Sequence, residues 1–361
     1  MAARRQPWLR LAWQGFGGVM LDLVDAVALS LAGRAQPAVA ARRLAQQGLT
    51  RGELSRTAQE EARQTLARAK RAGLVPVALT NPGYPPQLAA IVDPPIVLWI
   101  RGDPAALAEP IVTVVGSRAA TPYALEMANV LAADLAAEGL VVASGLARGV
   151  DAAAHRGALT SGRTVAVLGC GADVTYPREH VDLAGRIARA GALVSELPPG
   201  TPPRPHHFPL RNRILSGLAC AVIVVEASRR SGSLITARLA LEQGRDVLAV
   251  PGNVLGEHNR GAHALLRDGA RLVEGAHDVL DEIGWRVPAV SVVEPPAVSG
   301  AEPRAVSDWL LAVMTPGEAY DIDALVAHTG RESAAVLERL LALELAGVVV
   351  RTAGRFTRRA R

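Results

Sequence analysis

Residues 111–118 read Ile-Val-Thr-Val-Val-Gly-Ser-Arg, an apolar run that leads directly into a Gly-Ser-Arg turn. A helical pattern follows at about residues 121–138, with Thr121 as its expected cap and Gly139 as its stop. This unit of strand, turn and helix recurs as far as residue 250. Strands that are apolar throughout and separated by helices are typical of a parallel sheet covered on both faces. The sequence therefore predicts an α/β fold.

Six further strands are predicted around this unit. The first of them is expected to extend the central sheet, and the others alternate with helical stretches. Their predicted bounds are Ile96–Ile100, Leu140–Ala143, Thr164–Leu168, Ala192–Glu196, Ala221–Glu226 and Asp246–Val250.

Four short turns rich in Gly, Ser and Arg follow the apolar runs, at residues 116–118, 144–149, 231–233 and 251–253. In an open parallel sheet such turns emerge at the carboxyl edge of the strands, where helix N-termini offer N–H groups and a positive dipole end to anions. One diphosphate needs only one such turn. Several turns along one edge predict a ligand with phosphates at intervals, which is a nucleic acid backbone.

The first turn shows how such a contact is built. Gly116 allows a phosphate to approach the backbone, Ser117 offers a hydroxyl and Arg118 offers a charge-assisted hydrogen bond. A tight strand-to-helix turn with an exposed arginine is the alternative. The predicted DNA-binding residues, taken from these turns and from residues 208–213, are Gly116, Ser117, Arg118, Ser144, Gly145, Arg148, Phe208, Arg211, Asn212, Arg213, Ser231, Gly232, Ser233 and Thr236.

The segment 208–218 carries two arginines on either side of Asn212, just inside a helix that Pro209 can start. Cations near a helix N-terminus face the positive dipole end, so an anion is expected to compensate them. Phe208 lies in a polar, proline-rich loop, where it either stacks on an unpaired base or plugs the space beneath the loop. In the later turn, Ser233 is the expected helix cap, with Thr236 one turn further on.

Candidates for catalysis are weaker. Asp151 and His155 stand four residues apart, as a metal pair does, but no third ligand appears at suitable spacing, and a helix-start Asp with a structural His explains them better. Cys170 follows a predicted strand without an evident His partner. The turn at residues 115–118 lacks the spacing of a dinucleotide-binding motif or a P-loop. We therefore predict no enzyme activity, no metal and no cofactor.

The composition is that of a globular protein. The 361 residues are 50% hydrophobic, with a net charge of +5 and a pI near 9.8. No window approaches the roughly 18 apolar residues of a membrane span, and the N-terminus lacks the pattern of a leader, so a soluble, cytoplasmic protein is expected. Lys70 is the only lysine. The excess of arginine suits phosphate binding, although a GC-rich genome also explains it.

The chain divides into four predicted regions: a helical module of SAM or helix-hairpin-helix type (1–75), the core (76–285), a proline-rich linker (286–304) and a winged-helix domain (305–361). In the first module, Gly15-Phe16-Gly17-Gly18 is either a DNA-contacting hairpin turn or a plain interhelical turn. The last domain is expected to contain three helices, Asp308–Val313, Ile322–His328 and Glu332–Ala346, and then a hairpin at residues 347–356. Its basic tail ends with Arg355, Arg358, Arg359 and Arg361.

Together these motifs resemble the bacterial DNA-processing protein A family, also called Smf. The resemblance spans residues 78–284 and rests on long runs in the right order. These runs are Gly116–Arg118, Ser144–Asp151, His206–Arg213, Val225–Ala227, Ser231–Ala237 and Val250–Asn253.

The resemblance implies an extended Rossmann-like core that binds single-stranded DNA. Members of the family dimerise, shield incoming DNA during natural transformation and help to load the RecA recombinase. By motif, Arg118 would seat a phosphate, Arg211 and Arg213 would line the same groove, and Phe208 would stack on a base. Two departures are the run Asn259–His263, where the family has Ser-x-Gly-x-Asn, and a missing lysine before Phe208, for which Arg204 is the nearest cation.

Two other functions compete with a DNA-binding mediator. The first is a nucleotide-processing enzyme similar to the cytokinin-activating phosphoribohydrolases, but the chain has Pro251-Gly252-Asn253 where that group carries a longer glycine-rich run ending in glutamate. The second is a transcription regulator that acts through the winged helix, with the core as a nucleotide sensor.

Overall fold

The computed structural model describes residues 22–32, 55–285, 308–315, 318–345, 347–352 and 355–358. They fall into two compact units, divided between Pro288 and Ala289. The Gly15–Gly18 turn and the linker 286–304 lie outside the described residues, as do Arg359 and Arg361.

Nine strands and ten α-helices are described in the first unit. The strands are β1 (Val75–Ala78), β2 (Val97–Gly102), β3 (Ile111–Val115), β4 (Val141–Ser144), β5 (Thr164–Val167), β6 (Ala192–Ser195), β7 (Ala221–Val224), β8 (Asp246–Ala249) and β9 (Arg271–Leu272). The helices are α1 (Leu23–Ala32), α2 (Arg56–Arg71), α3 (Pro86–Ala89), α4 (Pro122–Ala137), α5 (Val150–Ser161), α6 (Val181–Ala190), α7 (His207–Leu218), α8 (Ser233–Glu242), α9 (Arg260–Arg267) and α10 (Ala276–Glu282).

The strands form one sheet in the order β1-β2-β6-β5-β4-β3-β7-β8-β9. Strands β3 to β9 are parallel, whereas β1 and β2 are antiparallel to their neighbours. The predicted α/β class is confirmed, and the ends of the predicted strands differ by one or two residues. The strand expected at 96–100 joins the sheet as the antiparallel β2. The short strands β1 and β9 were not predicted.

Successive side chains of β3 point to opposite faces of the sheet, and both faces are covered by helices. Ile111 and Val115 pack with Ile214 of α7 on one face, whereas Val112 and Val114 pack with Leu131 of α4 on the other. Because both faces are buried, every residue of the strand is apolar except Thr113, whose hydroxyl donates to the Leu215 carbonyl at 2.9 Å.

Helix α4 shows why the local signals were reliable. Its cap is Thr121, whose Oγ1 accepts a hydrogen bond from the Ala124 N–H at 3.3 Å. Gly139 follows the helix with a φ of 84°, a left-handed conformation that favours glycine. The predicted start and stop are both confirmed.

The chain order places a crevice in the middle of the sheet. From β3 the chain moves outward through β4, β5 and β6, and it then returns to β7 on the other side of β3. The strand order reverses between β3 and β7. In open α/β sheets, ligands bind outside the carboxyl ends of the strands at such a point.

The described part of the helical module packs on the antiparallel edge of the sheet. Ala26 and Val27 of α1 and Ala62 of α2 share a core cluster with Val97 and Trp99 of β2. These two helices are therefore continuous with the core through buried apolar contacts. No helix in the described ranges is both long and apolar enough to cross a membrane.

In the second unit the described elements are α11 (Ile322–Thr329), α12 (Ser333–Leu345), β10 (Ala319–Tyr320), β11 (Val349–Thr352) and β12 (Arg355–Arg358). The predicted hairpin is confirmed, since β11 pairs antiparallel with β12. The first predicted helix, at 308–313, is wrong. This segment forms turns, in which the Asp308 carboxylate accepts from the Leu310 N–H at 2.9 Å.

Candidate nucleic-acid interface

The carboxyl ends of β3, β4 and β7 surround a groove of about 640 Å³, which we call the switch-point groove. It lies where the strand order reverses, as expected for a ligand site of this fold. Most of the predicted DNA-binding residues meet there. They are Gly116, Ser117, Arg118, Phe208, Arg211, Asn212, Ser231, Gly232, Ser233 and Thr236.

The Gly116–Arg118 turn packs closely against the start of α5. A Cβ at Gly116 would lie 2.6 Å from Val150 Cγ2, so only glycine fits without a shift. The Val150 N–H donates to the Ser117 carbonyl at 3.2 Å. This packing leaves Arg118 exposed, with its guanidinium carbon 5.5 Å from the centroid of the Phe208 ring.

Several backbone donors at the groove are unused within the described residues. The N–H groups of Ser117, Arg118 and Gly232 donate to no described acceptor. Donors of this kind at strand-to-helix turns form concave anion sites. The groove therefore offers hydrogen bonds to an anion from the backbone as well as from side chains.

Arg211 lies on the floor of the groove and is 5% exposed. Its guanidinium donates to the Val167 carbonyl and contacts the backbone at Gly145, where a Cβ would clash with it. Burial lowers the pKa of Arg211 to about 10, so the side chain stays charged at neutral pH. Its Nε has no hydrogen-bond partner among the described residues.

Asp151 organises the turn after β4. Its Oδ2 accepts hydrogen bonds from the N–H groups of Gly145 at 3.1 Å and Ala147 at 3.3 Å. Burial raises the pKa of this carboxyl, and the neighbouring Arg211 charge acts in the opposite direction. The carboxylate is thus used inside the protein, where the charge of Arg211 offsets its own.

The aromatic wall of the groove consists of Phe208 and Tyr176. Their ring centroids are 5.6 Å apart, and the ring planes are inclined at 43°. Phe208 is half-buried over Gly169, and Tyr176 is 46% exposed. Sequence reasoning missed Tyr176, because only the tertiary structure brings the loop after β5 to the start of α7.

The turn before α8 differs from the prediction in one detail. Ser233 is the first helical residue, and Gly232 occupies the cap position without a side-chain hydrogen bond. Ser231 replaces the expected cap, since its Oγ accepts from the Ser233 N–H at 3.4 Å and lies 2.7 Å from Ser233 Oγ. Thr236 is 1% exposed at the groove floor.

Four predicted residues lie outside the groove. Arg213 is buried in ion pairs with Glu196 at 2.6 Å and Asp93 at 2.8 Å, so it does not line the groove with Arg211. Residues two apart on a helix do not face the same way, which explains the error. The Ser144 hydroxyl donates to the Val114 carbonyl at 2.7 Å and holds β4 against β3.

The other two lie beside the groove. Arg148 and Gly145 line a small adjoining cleft of about 50 Å³. The exposed Arg148 side chain is paired with Glu179 at 2.6 Å, which raises its pKa. Helix α7 begins at His207, two residues earlier than the predicted start at Pro209.

The candidate catalytic residues are held in structural roles. His155 is fully buried, with Nδ1 2.7 Å from Thr164 Oγ1, and burial lowers its pKa to about 3. Burial raises the pKa of the Cys170 thiol to about 11, and this thiol donates to the Val174 carbonyl at 3.0 Å. Across the described ranges, no group of three or more His, Cys, Asp or Glu is placed to hold a metal ion.

Comparison with known proteins agrees with this geometry. Residues 76–284 match the family described as DNA recombination-mediator protein A, and residues 294–355 match the DprA winged helix domain. The chain is 40% identical over 283 residues to Protein Smf of Escherichia coli (strain K12), which covers 76% of this chain and 75% of the relative.

Two solved structures are similar. DNA processing protein A from Streptococcus pneumoniae aligns with a TM-score of 0.59 and 34% identity over 76% of this chain and 97% of the other. DNA processing protein A from Helicobacter pylori, studied for its single-stranded DNA binding mode, aligns with a TM-score of 0.53 and 30% identity over 59% and 97%. The chain therefore belongs to the DNA recombination-mediator protein A family.

Proposed function

We propose that the protein is a single-stranded DNA-binding mediator that protects incoming DNA during natural transformation and loads a RecA recombinase onto it, without catalysing a reaction. The proposal rests on family membership and on the chemistry of the switch-point groove. The observation that carries it is that Arg118 and Arg211 meet unused backbone N–H groups at the point where the strand order reverses.

The charges of the groove favour a phosphate backbone. Arg118 is exposed and forms no ion pair with a described carboxylate, and Arg211 is charged. The one acidic lining residue, Asp151, is 7% exposed and already accepts two backbone hydrogen bonds. Because the remaining lining groups are donors or neutral, the groove attracts anions.

The aromatic wall favours single strands over a duplex. The half-exposed rings of Phe208 and Tyr176 stand beside Arg118 and offer faces on which unpaired bases can stack. In a duplex those base faces are covered by neighbouring pairs. The homologue from Helicobacter pylori, which is described by its single-stranded DNA binding mode, supports the same preference.

The competing enzyme function has less support. Where the phosphoribohydrolases carry a catalytic-loop glutamate, the turn after β8 packs Gly252 against Asn259 and His263. His155 and Cys170 are too buried to reach a ligand in the groove. These contacts favour a binding site over a reaction centre.

Homodimerisation, RecA loading and a cytoplasmic location are parts of the proposal that family membership supports. Light scattering after gel filtration tests the dimer, and a mass equal to one chain would contradict it. RecA filament growth on oligo-dT, with and without the protein, tests loading. We expect faster filament growth when the protein is present.

The decisive experiment is binding of fluorescent oligo-dT and of a duplex of equal length across a salt series. We expect tight, sequence-tolerant binding to the single strand that weakens steeply as salt increases. Arg118→Ala should weaken binding by about 1.5–3 kcal/mol for every sequence, because a charge-assisted phosphate contact is lost. Binding of neither form, or an affinity independent of salt, would reject the proposed function.

A further inference from the structure

A second cleft, of about 670 Å³, lies at the same edge of the sheet as the switch-point groove. Its walls come from α1, α2, the approach to β2 and the proline-rich loop after β6, so we call it the helix–loop cleft. Because β2 is antiparallel, its first residue lies beside the carboxyl end of β6. The cleft therefore extends the line of ligand-facing loops toward the helical module.

Only the first turn of α7 separates the two sites. His206 and His207 line the helix–loop cleft, whereas Phe208 and Pro209 line the switch-point groove. The strands β3 and β6 are three spacings apart in the sheet, which is about 14 Å. At the rise of roughly 3.4 Å per nucleotide that a strand has in a duplex, about four nucleotides cross that distance, and a more extended single strand needs fewer.

The charges of the cleft suit the same backbone. Arg68 and Arg204 are exposed on opposite walls, and neither forms an ion pair with a described carboxylate. Among the described residues, Arg68 Nη2 donates to the Thr65 hydroxyl alone, at 2.9 Å. Of the two acidic lining residues, Glu196 is paired with Arg213, which leaves Glu61. With Arg68 and Arg204 against Glu61, the net charge of the unpaired groups is positive.

The apolar part of the cleft suits bases. Pro202 is exposed on one wall, with Leu197 half-buried and Pro198 and Pro199 buried beside it, and the Leu210 side chain is 54% exposed at the rim. A proline side chain such as that of Pro202 packs on a base without losing rotamer freedom. Cations above an apolar wall match a nucleotide, which has an anionic and an apolar end.

We propose that the helix–loop cleft is a second subsite for the same single strand, in which Arg68 and Arg204 contact phosphates and the proline-rich wall covers bases. The helical module then takes part in DNA binding through α2. This inference rests on the proposed function, because it requires a strand already held in the switch-point groove.

The test measures affinity for oligo-dT of about 3 nucleotides, which is too short to span the two sites, and of about 20 nucleotides. The double variant Arg68→Ala/Arg204→Ala should bind the long oligonucleotide roughly tenfold more weakly, with a smaller salt slope, and should bind the short one as the wild type does. Arg118→Ala should weaken both. The matched control is Arg101→Ala, an exposed arginine at the end of β2 on the opposite edge of the sheet, which should change neither.

Unchanged affinity of the double variant for the long oligonucleotide would overturn the second subsite while leaving the proposed function intact. An equal loss for both lengths would also overturn it, since the cleft would then act on the groove itself. If the wild type bound neither length, the proposed function would fail first. Thermal unfolding of each variant confirms that the chain is folded.

Discussion

Helix α7 places Arg211 and Arg213 in two different regions of the molecule, and their contacts differ. Arg211 lies under the switch-point groove beside Asp151 and keeps an unused Nε donor, whereas Arg213 lies in the core with both Glu196 and Asp93 as partners. The arginines are separated by one residue in sequence. A segment that is predicted to bind an anion can thus contain one arginine that lines the groove and another that serves the fold.

This difference shows how the groove-lining and core residues of such a segment can be distinguished before a structure is known. Successive helical residues are rotated by about 100°, so positions two apart point in nearly opposite directions. Residues that act together on one ligand should be sought at spacings of three or four. In α7, Phe208, Arg211 and Asn212 obey that spacing and line the groove together.

The largest expected effect is on the stability of the fold, at Arg213 in the core. Arg213→Met should lower the free energy of unfolding by about 3 kcal/mol, because Glu196 and Asp93 lose their partner. This value is at the lower end of what the loss of a buried ion-pair partner costs, since the Asp93 side chain is 32% exposed. Urea denaturation measures it. The control is Arg238→Met, which removes only an exposed pair with Glu242 and should cost at most about 0.5 kcal/mol. Equal losses in the two variants would show that the Arg213 cluster is not structural.

A substitution in the switch-point groove should change the affinity for single-stranded DNA. Phe208→Ala should weaken oligo-dT binding by about 1–2 kcal/mol, or roughly tenfold, because a stacking face next to Arg118 is lost. Fluorescence anisotropy measures this, and Phe208→Trp should retain binding because it keeps an aromatic face. Wild-type affinity in the alanine variant would mean that the ring only plugs the space over Gly169.

His155 lies in the core one helical turn after the groove residue Asp151, and it should make the stability of the core depend on pH. Burial lowers its pKa from 6.5 to about 3, so between these values the unfolded chain binds a proton that the folded chain does not. This contribution to stability is lost as the pH falls below 6.5, by about 1.4 kcal/mol per pH unit.

Urea denaturation of the wild type and of His155→Asn at about pH 7 and about pH 5.5 measures this loss. The slope of stability against pH should be shallower in the variant, because asparagine binds no proton in either state. Parallel slopes would assign the acid sensitivity to other groups.

The smallest effect is expected at Arg148, which is exposed and paired with Glu179 beside the groove. Arg148→Ala should leave the unfolding midpoint unchanged and weaken oligo-dT binding roughly twofold at low salt, through lost long-range attraction. Glu179→Gln, which frees the arginine, should strengthen binding slightly. A loss as large as that of Arg118→Ala would place Arg148 in direct contact with DNA.

The sequence predicted most of the core and part of the site. The strands between residues 111 and 250 and the capped helix α4 follow from local signals, and four glycine-rich turns marked the edge of the sheet on which the candidate site lies. The turn at 308–313 was mistaken for a helix because its apolar spacing is helical. Strands β1 and β9 were not predicted, because such short strands carry too little alternation of apolar and polar residues to be identified.

What the sequence by itself determined is the parallel sheet, the edge that carries the glycine-rich turns and the residues that start and stop its helices, because periodicity, glycine and capping act over a few neighbouring residues. Only the tertiary structure decided which of those residues reach the groove. It paired Arg213 with Asp93, 120 residues away in sequence, and set Tyr176 against Phe208. Such choices depend on contacts between distant segments, and these contacts exist only once the sheet has brought the segments together.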